Sequence, residues 1–243
     1  MRTHARVGRG IEMRWMGCII AVALSLCSAV RPASAAPLID WDPVYYWEAG
    51  ATTTPAPNSN PGGQLNVVGT ISAFGGPLAD LNANIPAREY TLHITGLTSG
   101  GTTVIPVGTN NFYFTPYTSV GTIDIYEDLT PDADFGINPP NGTAPSTFTD
   151  GTVILTGTVS GFFWQANDFS GFSSGNSEGD ITWTGGTRFN DVNPCPSLFT
   201  GGLTWLPSLL IDGYLFRHDG KIDLECPTGT RNTTWGRMKS LYR

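Results

Sequence analysis

Apolar and polar residues alternate in short runs through most of this chain, and turn-forming residues separate the runs. The run from Glu89 to Thr95 shows the pattern most clearly. Tyr90 and Leu92 fall on its apolar face, and His93 falls on its polar face. A period of two is typical of a half-buried β-strand. Similar runs predict further strands at residues 44–47, 65–74, 103–107, 112–115, 122–126, 152–164, 180–187, 203–206 and 209–211.

The strongest short hairpin signal is Asp219-Gly220, which separates two alternating runs within residues 213–225. A two-residue turn there pairs Leu215 with Leu224 and leaves His218 solvated beside the turn. With about ten strands and few helices, the chain is predicted to be all-β, an antiparallel β-sandwich or jelly roll.

Residues 13–36 have the three parts of a secretory signal peptide. Arg14 precedes an apolar run from Ile19 to Val30, which is too short to span a bilayer. Ala33-Ser34-Ala35 supplies the small residues of a cleavage site, so we expect the mature chain to begin at Ala36. The predicted destination is the extracellular space, the cell surface or the periplasm, without a transmembrane anchor.

The mature chain is predicted to be strongly acidic. Removing the leader's five arginines and one glutamate leaves 8 basic and 19 acidic side chains, a net charge near −11. Such a surface repels nucleic acid and anionic lipid.

These patterns divide the chain into four parts. They are a signal peptide at 1–35 with translation expected to start at Met13, an N-terminal strand and linker at 36–64, a β-sandwich domain at 65–230, and a basic C-terminal tail at 231–243.

Two cysteines remain after the leader is removed, Cys195 and Cys226. Because disulfides form in oxidising compartments, a bridge between them is favoured over metal binding or free thiols. The bridge would close a loop of about thirty residues, worth roughly 3–4 kcal/mol on the chain-entropy model.

An acidic, proline-rich region suggests a calcium site, because six oxygen-bearing side chains fall within fifteen residues. The spacing departs from an EF-hand, since Gly136 stands where a ligand is needed. The alternative is a solvated loop, and no other cofactor is expected. The candidate ligands are Asp124, Glu127, Asp128, Asp132, Asp134 and Asn138.

Catalytic motifs are weak in this sequence. Residues 171–175 fit the Gly-x-Ser-x-Gly pattern of a nucleophile elbow, but that elbow needs a strand before it and a helix after it. Here the motif lies in a Gly/Ser-rich loop that leads into another strand. Paired carboxylates for glycoside hydrolysis stay open, although no pair stands out. We therefore name no catalytic residue and favour a non-enzymatic protein.

Tryptophan and tyrosine are abundant, and exposed rings of this kind stack on sugars. Ordinary core packing is the favoured alternative, because aromatic side chains bury large areas in most proteins. The residues concerned are Trp41, Trp47, Trp164, Trp183, Trp205 and Trp235, with Tyr45, Tyr46 and Tyr113.

The basic C-terminal tail differs in composition from the acidic body. On a helix its apolar residues fall on one side, which is typical of a segment that binds in a groove. A tail of this length is too short to form a stable isolated helix, so a frayed end is the alternative to a recognition tag. The candidate recognition residues are Trp235, Arg237, Met238, Lys239 and Tyr242.

Two segments, residues 117–128 and 148–157, resemble blocks found in uncharacterised secreted bacterial β-rich proteins. Some of those proteins carry a C-terminal sorting region of the PEP type. This sequence lacks the Pro-Glu-Pro motif, apolar helix and basic terminus of that region in that order. The resemblance implies no activity and no functional residue.

The sequence therefore predicts a secreted, non-enzymatic structural or interaction protein of the cell surface or extracellular matrix. The second hypothesis is a carbohydrate-binding module that uses exposed aromatic residues, and the third is a glycan-directed hydrolase. The expected partners are a glycan or another surface protein, together with a receptor for the tail.

Overall fold

The computed structural model describes residues 37–53, 56–136, 145–169 and 172–226. Within them, three short helical segments lie at Gly76–Ala83, Ser146–Phe148 and Phe189–Val192. None of the helices in this part of the chain is long and apolar enough to cross a membrane. The strands are β1 (Ile39–Glu48), β2 (Gln64–Phe74), β3 (Glu89–Thr98), β4 (Thr103–Val107), β5 (Asn110–Pro116), β6 (Gly121–Asp128), β7 (Thr152–Phe169), β8 (Phe172–Gly185), β9 (Ser197–Thr204) and β10 (Phe216–Leu224).

Eight of these strands close into an antiparallel barrel in the order β7, β6, β3, β2, β1, β10, β9, β8 and back to β7. The pairing of β7 with β8 closes the ring. The all-β, antiparallel prediction is confirmed, but the strands form one continuous closed sheet where two packed sheets were expected. β1 lies between β2 and β10, as a full member of the barrel wall.

The remaining strands, β4 and β5, form a hairpin beside the barrel. β7 pairs with β6 through residues 152–159, and its later residues 163–167 pair with β5. β4 is therefore the outermost strand of the sheet, with β5 on one side. Strands were predicted at residues 103–107 and 112–115, and the two-residue turn that joins β4 to β5 lies at Gly108-Thr109.

Aromatic side chains fill the barrel interior. Trp41 packs on Phe199 with ring centroids 4.9 Å apart, and Trp164 packs on Phe216 at the same distance. Glycines in the wall make room for such rings; a Cβ atom at Gly179 would lie 2.8 Å from the Phe162 ring. Large and small residues thus complement each other across the barrel, whose interior is a packed core.

The predicted hairpin at Asp219-Gly220 is wrong, because β10 runs straight through both residues. Gly220 lies opposite Gly201 on β9 and opposite Trp41 on β1. A Cβ atom at Gly220 would lie 2.4 Å from the Thr200 carbonyl oxygen and 2.6 Å from His218 Cε1. This glycine therefore permits close packing within a strand, a role that a turn signal in the sequence does not reveal.

Candidate functional site

Cys195 and Cys226 form the predicted disulfide, with their Cα atoms 4.7 Å apart. The bridge continues the pairing of β9 with β10, which begins at Ser197 opposite Leu224. It therefore joins the ends of two strands that already lie side by side.

His218 lies fully buried inside the barrel, which corrects its predicted position beside a solvated turn. Trp41 Nε1–H donates to His218 Nδ1 at 3.1 Å. The ring proton therefore lies on Nε2, 3.0 Å from Ser177 Oγ, and Tyr46 OH is 2.7 Å from the same serine oxygen. Burial lowers the pKa of His218 to about 3, opposed by a hydrogen bond to the Gly201 backbone. A neutral imidazole so enclosed is part of the core.

Glu48 is the second buried titratable group, at the end of β1. Ser59 Oγ donates to its Oε1 at 2.5 Å, and Tyr117 OH donates to its Oε2 at 2.9 Å. Burial raises the pKa of Glu48, although these hydrogen bonds and one from a backbone N–H oppose the shift. A Cβ atom at Gly63 would lie 2.1 Å from Oε1, so only glycine fits beside the carboxylate.

A cleft of about 630 Å³ opens where β1 ends, between residues 48–53 and 207–215. Its lining combines apolar side chains such as Leu210 and Ile211 with polar ones such as Thr52 and Asp212. Glu48 also borders this cleft, but both of its carboxylate oxygens already accept hydrogen bonds from the protein. Sequence reasoning missed the cleft, because the two segments that form it are far apart in the chain.

Two of the six predicted calcium ligands come together. Asp128 and Asp132 lie with Asp150, which the prediction omitted, in a group whose nearest oxygens are all within 4.8 Å. Desolvation, followed by the charges of Asp150 and Asp128, raises the pKa of Asp132. The calcium site stays a prediction. It is tested by comparing the melting temperature in chelator with that in millimolar calcium. If calcium binds, the melting temperature should be higher in calcium.

The other four candidates have different surroundings. Glu127 accepts hydrogen bonds from Arg88 and Tyr90, both at 2.6 Å. Asp134 Oδ1 accepts the Gly136 N–H at 2.7 Å. Asp124 lies opposite His93 in the β3–β6 pairing, and Asn138 lies outside the described residues.

The aromatic residues considered for sugar stacking are mostly buried. Trp183 and Trp205 are 5% exposed, and Trp47 is half-buried. Trp235 and the other candidate tail residues lie outside the described part of the chain, so the tag stays a prediction. Fully or almost fully buried members of the set are Trp41, Trp164, Tyr45, Tyr46 and Tyr113.

The nucleophile-elbow motif does not have the context that an elbow requires. Its serine, Ser173, lies near the start of β8, which continues to Gly185. Residues 172–175 therefore lie within a strand, which corrects the predicted Gly/Ser-rich loop. The strand continues where an elbow needs a helix, so the rejection of the motif stands.

The structure has a further candidate surface, on the outer face of the sheet, which was not identified from the sequence. Ile105 and Val107 on β4, Phe114 on β5 and Phe163 on β7 share the outer face of the sheet, and we call these four residues the hairpin wall. Ile105 and Val107 are each 50% exposed, and Phe114 is 37% exposed. The Phe114 and Phe163 rings pack with centroids 5.6 Å apart. The wall thus presents apolar side chains of three neighbouring strands to solvent, with polar residues such as Asn110 and Gln165 on the same face.

Comparisons with protein-family models, curated proteins and solved structures found no match for this chain.

Proposed function

We propose that this chain is an exported, non-enzymatic interaction protein of the cell surface or extracellular matrix, and that the hairpin wall is its contact surface. The exposed wall is the observation that carries the proposal. Apolar side chains that cluster on one exposed face of a sheet, rather than standing singly, are typical of interaction sites. Export rests on the predicted leader, with the disulfide in support.

The surroundings of two buried titratable groups, His218 and Glu48, support a non-enzymatic role. The His218 ring is enclosed by Trp41, Ser177 and neighbouring rings. Both oxygens of Glu48 accept hydrogen bonds from protein donors. A catalytic acid or base must reach the proton that it transfers, whereas these two groups hold the core together.

Cell fractionation of two matched variants tests the proposal. The wall variant carries Ile105→Ser and Phe114→Ser. The control variant carries Val120→Ser and Leu129→Ser, which change residues 62% and 69% exposed outside the wall. With the complete chain expressed in its host, the wild-type protein and the control should stay with the cell surface or matrix. The wall variant should enter the medium while its circular dichroism spectrum remains that of the folded protein, and its retention would contradict the proposal.

Carbohydrate binding is the second candidate, favoured now by the cleft at the end of β1. Its apolar and polar lining suits a small ligand with both kinds of surface, and such sites occur at barrel mouths. Calorimetric titration with neutral oligosaccharides tests this candidate. Binding that Asp212→Ala weakens and the wall variant leaves intact would support it, whereas absence of binding would remove it.

A further inference from the structure

The free edge of β4 is poorly suited to strand addition. In a two-residue hairpin the residues that flank the turn, here Val107 and Asn110, exchange hydrogen bonds. Alternation along β4 then directs the backbone groups of Val104 and Pro106 away from β5. Proline has no N–H, so the edge of β4 presents a single outward donor, that of Val104. Strand addition depends on a longer ladder of main-chain hydrogen bonds.

The outer face of the hairpin offers side chains instead of backbone groups. The hairpin wall holds two branched aliphatic residues on β4 and, on the same face of β5 and β7, two packed phenylalanine rings. The wall consists of four side chains, whereas a standard interface between folded proteins uses about 20–30 residues on each partner. A short segment therefore fits this wall better than a large folded surface does.

The charged residues near the hairpin wall favour a partner segment of one charge. The four strands β4, β5, β7 and β8 contain no basic residue, and two acidic residues, Glu178 and Asp180, occupy alternate positions on the outer face of β8. The third acidic residue, Asp168, faces away from the wall and accepts hydrogen bonds from Asn111 and Tyr113. Glu178 lies directly opposite Phe163 in the β7–β8 pairing, so a carboxylate borders the wall. Lysine or arginine in a partner would be attracted to this border, and acidic residues would be repelled.

We propose that the hairpin wall binds an apolar segment of another protein that carries lysine or arginine beside its apolar residues. The segment lies across the outer face and adds no strand to β4. This inference rests on the proposed function and specifies the chemistry of the partner.

Fluorescence anisotropy with three short labelled peptides tests the inference on the complete mature chain. The first peptide alternates leucine and lysine, the second replaces lysine by glutamate, and the third is the first with a methyl group on every backbone nitrogen. The first should bind, and the second should bind at least about tenfold more weakly. The third should bind as the first does, because contact with the face needs no peptide N–H.

The two matched variants locate the binding. The wall variant should bind the leucine–lysine peptide about tenfold more weakly, and the control variant should bind it as the wild type does. Equal binding by the two variants would overturn the inference, since charge attraction alone would explain it. Loss of binding on N-methylation would overturn it by showing strand addition. Release of the wall variant from cells without any charge preference among peptides would leave the proposed function standing and remove this inference.

Discussion

Phe162 and Phe163 are adjacent in β7 and have opposite surroundings. Phe162 is 1% exposed inside the barrel, where its ring packs against Phe199 and Tyr117. Phe163 faces outward and packs on Phe114, which is itself partly open to solvent. Identical side chains thus serve as core on one side of the sheet and as exposed surface on the other. Closure of the barrel decides between these roles.

Polar groups differ between the two regions in the same way. Inside the barrel, Trp41, His218 and Ser177 satisfy one another, and Glu48 and Tyr117 form a second hydrogen-bonded pair. Buried polar groups need such partners because an unmade hydrogen bond costs about 1–3 kcal/mol. The hairpin wall has apolar side chains, and Pro106 removes one hydrogen-bond donor from the neighbouring free edge of β4. The interior is therefore specified by mutual fit, whereas the wall remains open to a partner.

The largest expected effect comes from truncating the interior. Trp41→Ala should lower the free energy of unfolding by about 3–5 kcal/mol, because it opens a cavity and removes the donor to His218 Nδ1. The matched change Val104→Ala, at a residue 51% exposed on β4, should alter it by less than about 0.5 kcal/mol. Urea unfolding followed by circular dichroism measures both. Similar losses in the two variants would contradict the contrast between core and hairpin.

A smaller effect separates two adjacent glycines of β9. A Cβ atom at Gly201 would lie 2.4 Å from the Asp219 carbonyl oxygen, whereas the nearest atom to one at Gly202 is 4.0 Å away. Gly201→Ala should therefore destabilise the protein by about 1–3 kcal/mol. Gly202→Ala should leave it unchanged or stabilise it by up to about 1 kcal/mol. Thermal unfolding of the pair measures the difference, and equal melting temperatures would refute close packing at Gly201.

The next effect is a pH dependence at Glu48. Because burial raises its folded-state pKa above the ordinary 4.5, the ionised carboxylate costs stability above the folded pKa. That cost disappears as the pH falls below 4.5. Wild-type protein should therefore gain stability relative to Glu48→Gln as the pH falls from neutral, as measured by urea unfolding across that range. A difference between the two proteins that does not change with pH would exclude this account.

The smallest expected effect on stability comes from Pro106→Thr, which adds a second outward N–H to β4. The free energy of unfolding should change by less than about 0.5 kcal/mol, since the residue lies on an exposed edge. Sedimentation velocity should show concentration-dependent association through the repaired edge. Pro207→Thr, which changes a proline outside the strands, serves as the control and should remain unassociated. Identical sedimentation of both variants would show that Pro106 does not protect the edge.

The local elements followed from the sequence where one physical cause dominated. Alternation identified β2, β3 and β5, because one buried face leaves a period of two. It also marked β4, whose five residues are all exposed. The disulfide followed from a single even pair of cysteines in a chain with a predicted leader. The strand predicted at residues 209–211 was wrong, since that short apolar run lies in a loop beside the cleft.

Features that depend on distant parts of the chain were not predictable. Gly220 follows an aspartate, as in a turn, and its packing against Gly201 exists only in the closed barrel. The burial of His218 depends on that same packing. Asp150 precedes Gly151, a pair typical of turns, and lies outside the acidic region at 124–138, so its approach to Asp132 was not predicted. Alternation shows that Phe162 and Phe163 face opposite sides, but it does not show which side is covered.

Carbene footprinting of the protein on and off its cell surface tests the central claim most directly. A photolysed diazirine labels side chains in proportion to their exposure, and mass spectrometry locates the label. The account predicts that Ile105, Val107 and Phe114 are labelled less in surface-bound protein than in released protein, while Val120 and Leu129 are labelled equally in both. Equal labelling of the hairpin wall in the two states would contradict its role as the contact surface.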